Sequence, residues 1–142
     1  MPTSTPSVTL PKAGAAIAAA VAVNAAVFAA ARAIGEDFVV VKDGSATTVT
    51  ASSVVMMTIA SLLVGFGAAA VTTRFWPAGL RLAVPVGAAL TVLSLTLLPS
   101  ADAPAATKLW ITALHVVVGA AYVAALLIPD RTHRPLWHTG RA

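Results

Sequence analysis

The sequence has no cysteine, and only 10% of its 142 residues are charged. Without cysteine there is no disulfide, no thiolate metal site and no thiol nucleophile. With so little charge there is too little polar surface to cover a water-soluble core, since soluble domains carry nearer a quarter charged residues. Aromatic residues are scarce too, at 6%. No GxGxxG, phosphate-binding loop, nucleophile elbow or heptad run is present, and no internal repeat points to an inverted-repeat transporter. These absences exclude an ordinary globular enzyme, a disordered tail and a disulfide scaffold.

What is present is apolar. Hydrophobic residues make up 58% of the chain, and the mean hydropathy is +0.90. Alanine alone supplies nearly a quarter of the residues. The length allows one domain. The class is therefore an integral membrane protein.

About 20 apolar residues cross a bilayer core as a helix. Four stretches qualify: residues 13–35, 53–73, 82–98 and 107–128. Residues 1–12 read as a disordered cytoplasmic tail rich in Pro, Ser and Thr. Residues 13–129 form the transmembrane domain, and 130–142 form a basic cytoplasmic tail. Pro99 and Pro129 fall just past helix ends, and Pro85 falls in the first turn of the third helix, where proline is tolerated. The expected fold is all-α: an antiparallel bundle of four transmembrane helices with a short extracytoplasmic β-hairpin between the first two. A rival reading takes Lys12, the first apolar run and Ala31-Arg32-Ala33 as a cleaved signal peptide.

The net charge of +4 is read as a topology signal, not as a sign of a nucleic-acid partner. Lys12, Arg74, Arg81, Arg131, Arg134 and Arg141 share the side that holds both termini. Arg32, Lys42 and Lys108 lie on the other. Positive charge in short loops marks the cytoplasmic side, so both termini are expected inside the cell membrane. Phe75, Trp76 and Trp137 would anchor the inner boundary, and Phe38 and Trp110 the outer. Arg131, Arg134 and Arg141 are candidate contacts for anionic lipid, at about 1 kcal/mol per charge.

The loop 36–52 has strand character. Phe38-Val39-Val40-Val41-Lys42 and Ser45-Ala46-Thr47-Thr48-Val49-Thr50 flank Asp43-Gly44, a two-residue hairpin signal. A lone hairpin is marginal in water, so this one should dock on the helix ends.

The interiors of the spans hold no Asp, Glu or Lys, and an ion-coupled pump normally keeps an acid there. Asn24 and His115 are the strongly polar residues at depth. Counted at 1.5 Å per residue from the inner helix ends, Asn24, Ser61, Ser94 and His115 all lie roughly 16–20 Å up. They are expected to form an inward-facing layer, with Asn24 and His115 hydrogen-bonded to each other. Such a layer acts either as interhelical glue, worth about 0.6 kcal/mol per contact, or as a ligand or proton site. Ser61, Gly65 and Ala69 add a small-xxx-small face, with Gly119 doing similar work on the fourth helix. His133 and His138 lack companion ligands, so no metal, cofactor or catalytic residue is assigned.

Leu93-Ser94-Leu95 with Pro99, then Leu114-His115-Val116-Val117-Val118 and Leu127-Ile128-Pro129, resemble an uncharacterised actinobacterial family of small four-helix integral membrane proteins. The resemblance covers the last third of the chain. It implies four spans with a histidine in the last, and no activity. The functional expectation is a non-enzymatic accessory or interaction subunit, binding a membrane-protein partner or a second copy of itself. The alternative is a small transporter or channel-like protein using the layer around His115. A water-filled cavity reaching His115 favours the second, and a dry layer the first.

Overall fold

In a computed structural model of the chain, residues 9–42, 44–76, 79–97 and 102–128 are described. Four helices, α1 (Leu10–Ala33), α2 (Ala51–Phe75), α3 (Leu80–Leu97) and α4 (Ala105–Leu127), frame two strands, β1 (Val39–Lys42) and β2 (Ser45–Thr48). Three of the helices, α1, α2 and α4, are long and apolar enough to cross a membrane, while α3 offers a shorter apolar run from Leu82 to Thr96.

The helix starts differ from the expected ones for local reasons. α1 begins at Leu10 and takes Pro11 and Lys12 into its first turn, where the missing proline N–H has no partner to lose. Residues 10–12 are therefore helix, not tail. α2 begins at Ala51 because Thr50 and Ser53 form a reciprocal cap: each side chain accepts from the other's backbone N–H. That satisfies two otherwise orphaned donors. α3 begins at Leu80, so Pro85 stands inside the helix and not in its first turn. It removes one backbone bond there.

The helices run alternately up and down. One core cluster gathers Ala20, Leu62, Phe66, Tyr122, Ala125 and Leu126, with Ala83 and Val84 from the start of α3 packed against it. The other gathers Phe28, Ala31, Phe38, Val54 and Leu114 at the hairpin end. Each buried stripe repeats at helical spacing: Ala20, Asn24, Phe28 and Ala31 on α1; Val54, Thr58, Leu62, Phe66 and Ala69 on α2. α1 packs against both α2 and α4, as an up-and-down bundle requires. α3 leans chiefly on α4 and touches α2 little. Lys12 Nζ donates to the Ile128 carbonyl, tying the start of α1 to the end of α4.

The hairpin is present and docked. β1 and β2 pair antiparallel with Lys42 opposite Ser45, so two residues make the turn, and Gly44 takes φ +77°. The Val41 N–H donates 2.8 Å to the Asp102 carbonyl, which carries the pairing on to the α3–α4 connection. Glu36 Oε1 accepts from Thr107 Oγ1 at 2.5 Å and from the Phe38 N–H at 3.3 Å. Arg32 pairs with Asp37 at 3.1 Å on the exposed rim.

Phe38 is no boundary anchor. It is wholly buried, its ring 4.7 Å from that of Phe28. To turn inward it takes φ +53°, a left-handed geometry that costs a bulky residue about 1–2 kcal/mol. Full burial of a phenylalanine returns about 1.5–3 kcal/mol, so the inward plug wins. Phe75 and Trp76 are exposed at the other end. Phe38→Ala is expected to destabilise the protein by about 3 kcal/mol. Thermal unfolding in detergent with limited proteolysis of the loop checks this. An unchanged midpoint with an equally resistant loop would show that the plug holds nothing.

Candidate functional site

α2 and α3 stand apart, and α1 and α4 form the floor between them. The result is a cavity of about 740 Å³, a size typical of small-molecule sites. It runs from Thr47, Thr48 and Thr50 at the hairpin end, past Asn24, Thr58, Thr91 and His115 half-way along, to Ala68 and Tyr122. Its lips are apolar and exposed: Met57 and Val64 on α2, Val86 and Leu90 on α3.

Glycines set its floor. The Tyr122 ring of α4 sits between Gly65 of α2 and Gly87 of α3: a Cβ on Gly87 would meet the ring at 2.2 Å, and one on Gly65 at 3.1 Å. Phe66 stacks on the same ring with centroids 5.4 Å apart, and the Tyr122 hydroxyl donates 3.4 Å to the Ala83 carbonyl. Higher up, Gly119 lies against Thr91, where a Cβ would meet Oγ1 at 2.6 Å. Tyr122 thus closes the gap at one level and leaves it open above.

Asn24, Ser61, Ser94 and His115 all line this cavity. No hydrogen bond joins any two of them among the described residues, which corrects the expected bonded layer and its Asn24–His115 pair. Asn24 Nδ2 instead donates 2.8 Å to Thr58 Oγ1 of α2. His115 Nδ1 bonds the Ile111 carbonyl at 2.8 Å, and Ser94 Oγ bonds the Thr91 carbonyl at 2.7 Å. Ser61 is exposed at the lip. The reason is economy: a carbonyl within its own helix lies in reach of such a side chain, while a partner across an open cavity does not.

Several of the donors are engaged within their own helices, while Ser61 makes no hydrogen bond among the described residues. Thr58 gives its proton to the Val54 carbonyl and Thr91 to that of Gly87. A carbonyl can only accept, so Nδ1 of His115 carries the proton there and Nε2 keeps a lone pair in the neutral ring. Asn24 is 1% exposed, and its Oδ1 has no hydrogen-bond partner among the described residues. A buried acceptor left this way costs about 1–3 kcal/mol. No charged side chain lines the cavity among the described residues, and no group of three His, Cys, Asp or Glu could hold a metal there.

Thr58, Thr91, Tyr122 and Gly87 belong to the site although the mid-depth count passes over them. The signal for Thr58 was its place on the stripe Val54, Thr58, Leu62, Phe66. Gly65 and Gly119 make the close approaches expected of small residues. Arg131, Arg134, Arg141 and Trp137 lie outside the described residues.

Over residues 4–132 the chain matches the model of a family of unknown function, DUF6069, and it belongs to that family. No curated protein matches, and no solved structure matches.

If Asn24 and Thr58 bond across α1 and α2, their effects are coupled. A double-mutant cycle of Asn24→Leu and Thr58→Val in thermal unfolding should give a coupling of about 0.6–1.7 kcal/mol. Strict additivity would remove the bond from the account.

Proposed function

We propose that this DUF6069 chain is a non-enzymatic, four-span protein of the cell membrane that binds a small lipophilic molecule in the cavity between α2 and α3. One observation carries the reading: a largely apolar cavity of about 740 Å³, with no charged side chain among its described lining residues, opens between Met57, Val64, Val86 and Leu90. The cavity reaches His115, which supports a carrier or binding role over a purely structural layer.

The 18 residues of α3 span about 27 Å at 1.5 Å per residue, close to the thickness of a bilayer core. That supports α3 as the fourth span, despite its shorter apolar run. The positive-charge count supports both termini on the cytoplasmic side, with the hairpin outside. The alanine-rich composition and the resemblance in the last third support an actinobacterial source. The lack of a charged side chain among the described lining residues supports a role without chemistry of its own. Bound lipophile would be held, presented or passed on, and an accessory role toward a membrane-protein partner or second copy fits the same device.

Full-length protein purified in mild detergent should carry a small lipophilic molecule at close to one per chain after organic extraction and mass spectrometry. Ser61→Trp places an indole in the cavity from its exposed lip and should cut that occupancy at least tenfold while leaving the fold intact. Equal content in both proteins, or nothing enriched over bulk lipid, would refute the reading.

A further inference from the structure

The cavity between α2 and α3 narrows to a point. At the level of Tyr122 one aromatic ring fills the space between Gly65 of α2 and Gly87 of α3, so the two backbones stand a single ring apart. Toward the hairpin end they part, and the cavity lies between them. A V of this kind closes when one arm turns about its apex.

The two arms are held very differently. Five side chains of α2 are buried, from Val54 to Ala69, and Asn24 holds that helix through Thr58. α3 is the helix with no buried side chain among the described residues, and it leans chiefly on α4. An element that buries so little moves at the least cost. Its hold is also uneven along its length. Before Pro85, Ala83 and Val84 pack against the lower core cluster, and the Tyr122 hydroxyl donates to the Ala83 carbonyl. After Pro85, α3 joins neither core cluster among the described residues, and its close contact above Tyr122 is Thr91 against Gly119. Pro85 itself is exposed and stands inside the helix. It removes the backbone bond to the carbonyl four residues earlier, and helices bend at such positions.

The same ring fixes which residues face each other across the opening. Ser61 lies one turn above Gly65 on α2, and Thr91 one turn above Gly87 on α3, so the two share a level. Both line the cavity. Ser61 makes no hydrogen bond among the described residues, while Thr91 has given its proton to the Gly87 carbonyl and keeps its lone pairs. In a medium without water an unused donor gains from a partner, and small residues at this level let two helices approach closely.

We propose that α3 beyond Pro85, from Val86 to Thr96, is a lateral gate. It turns about Pro85 toward α2 and shuts the cavity from the bilayer, with Ser61 and Thr91 meeting one turn above Tyr122. The gate governs access to the cavity and does not depend on what occupies it.

The chain has no cysteine, so introduced pairs report alone. In the full chain in lipid nanodiscs, Ser61→Cys with Thr91→Cys should form an intramolecular disulfide under mild oxidant, because the bond needs Cα atoms within about 7 Å and closure supplies that approach. Adding Pro85→Ala restores one backbone bond and should slow the disulfide about tenfold, with no fall in the thermal midpoint. Spin labels on Met57→Cys and Leu93→Cys, both exposed positions, should give two distances by pulsed electron resonance, and Pro85→Ala should shrink the shorter population. A single distance in both proteins, no disulfide, or a disulfide that forms equally fast with and without Pro85 would each overturn the gate. None of these results touches the binding reading, which stands or falls on the extracted lipophile.

Discussion

A polar proton inside an apolar medium must find an acceptor, because no water is there to take it. In this bundle nearly every such proton goes to the chain's own backbone. Thr58, Thr91, Thr112 and His115 all bond the carbonyl one turn earlier. The helices are consequently not stitched together by side-chain bonds along their length. Asn24 to Thr58 is the buried side-chain bond between helices among the described residues. Elsewhere the bundle depends on shape: alanines on α1, glycines around Tyr122, and Phe66 stacked on its ring. Packing is most extensive where α1 meets α2 and α4. It is local where α3 meets α4, and that difference is what leaves room for a cavity.

The two ends of the bundle are closed by different means. At the hairpin end, Phe38 enters the core and Glu36 bridges to Thr107, so a two-stranded sheet that would be marginal alone becomes part of the fold. Val41 and Asp102 carry that sheet to the α3–α4 connection. At the opposite end Tyr122 lies between α2 and α3, with Lys12 fastening α1 to Ile128. Between these closures polar residues of four helices line a common space, and the protons of Thr58, Thr91 and Ser94 are already committed.

Much of this is legible from residues alone. The four apolar runs mark the helices, and Asp43-Gly44 between β-branched stretches marks the hairpin and its two-residue turn. The meeting of α1 and α4 follows from short loops and alternating direction. The helix ends were less legible, since Pro11 reads as a breaker until it is placed in a first turn, and Thr50 with Ser53 makes a cap without the usual glutamate. Phe38 reads as a boundary aromatic, because periodicity carries no information about a left-handed backbone. Depth alone singled out Asn24 and His115, both of which line the cavity, yet it assigned the wrong partner. Counting residues from a helix end fixes height and says nothing about azimuth. Thr58 and Ser61 stand at similar height, and only the first is on the buried stripe. The clash that excludes a side chain at Gly87 depends on where Tyr122 falls on another helix, which no local pattern records.

The account turns on polar protons committed within their own helices, and the tautomer of His115 reports that directly. The sequence holds three histidines, so replacing His133 and His138 with glutamine leaves His115 as the one imidazole. Solid-state nitrogen NMR of that protein, labelled at histidine and embedded in lipid, resolves which ring nitrogen carries hydrogen. The account predicts hydrogen on Nδ1, the nitrogen that bonds the Ile111 carbonyl, and a bare Nε2. Hydrogen on Nε2, in either the other tautomer or an imidazolium, would contradict it.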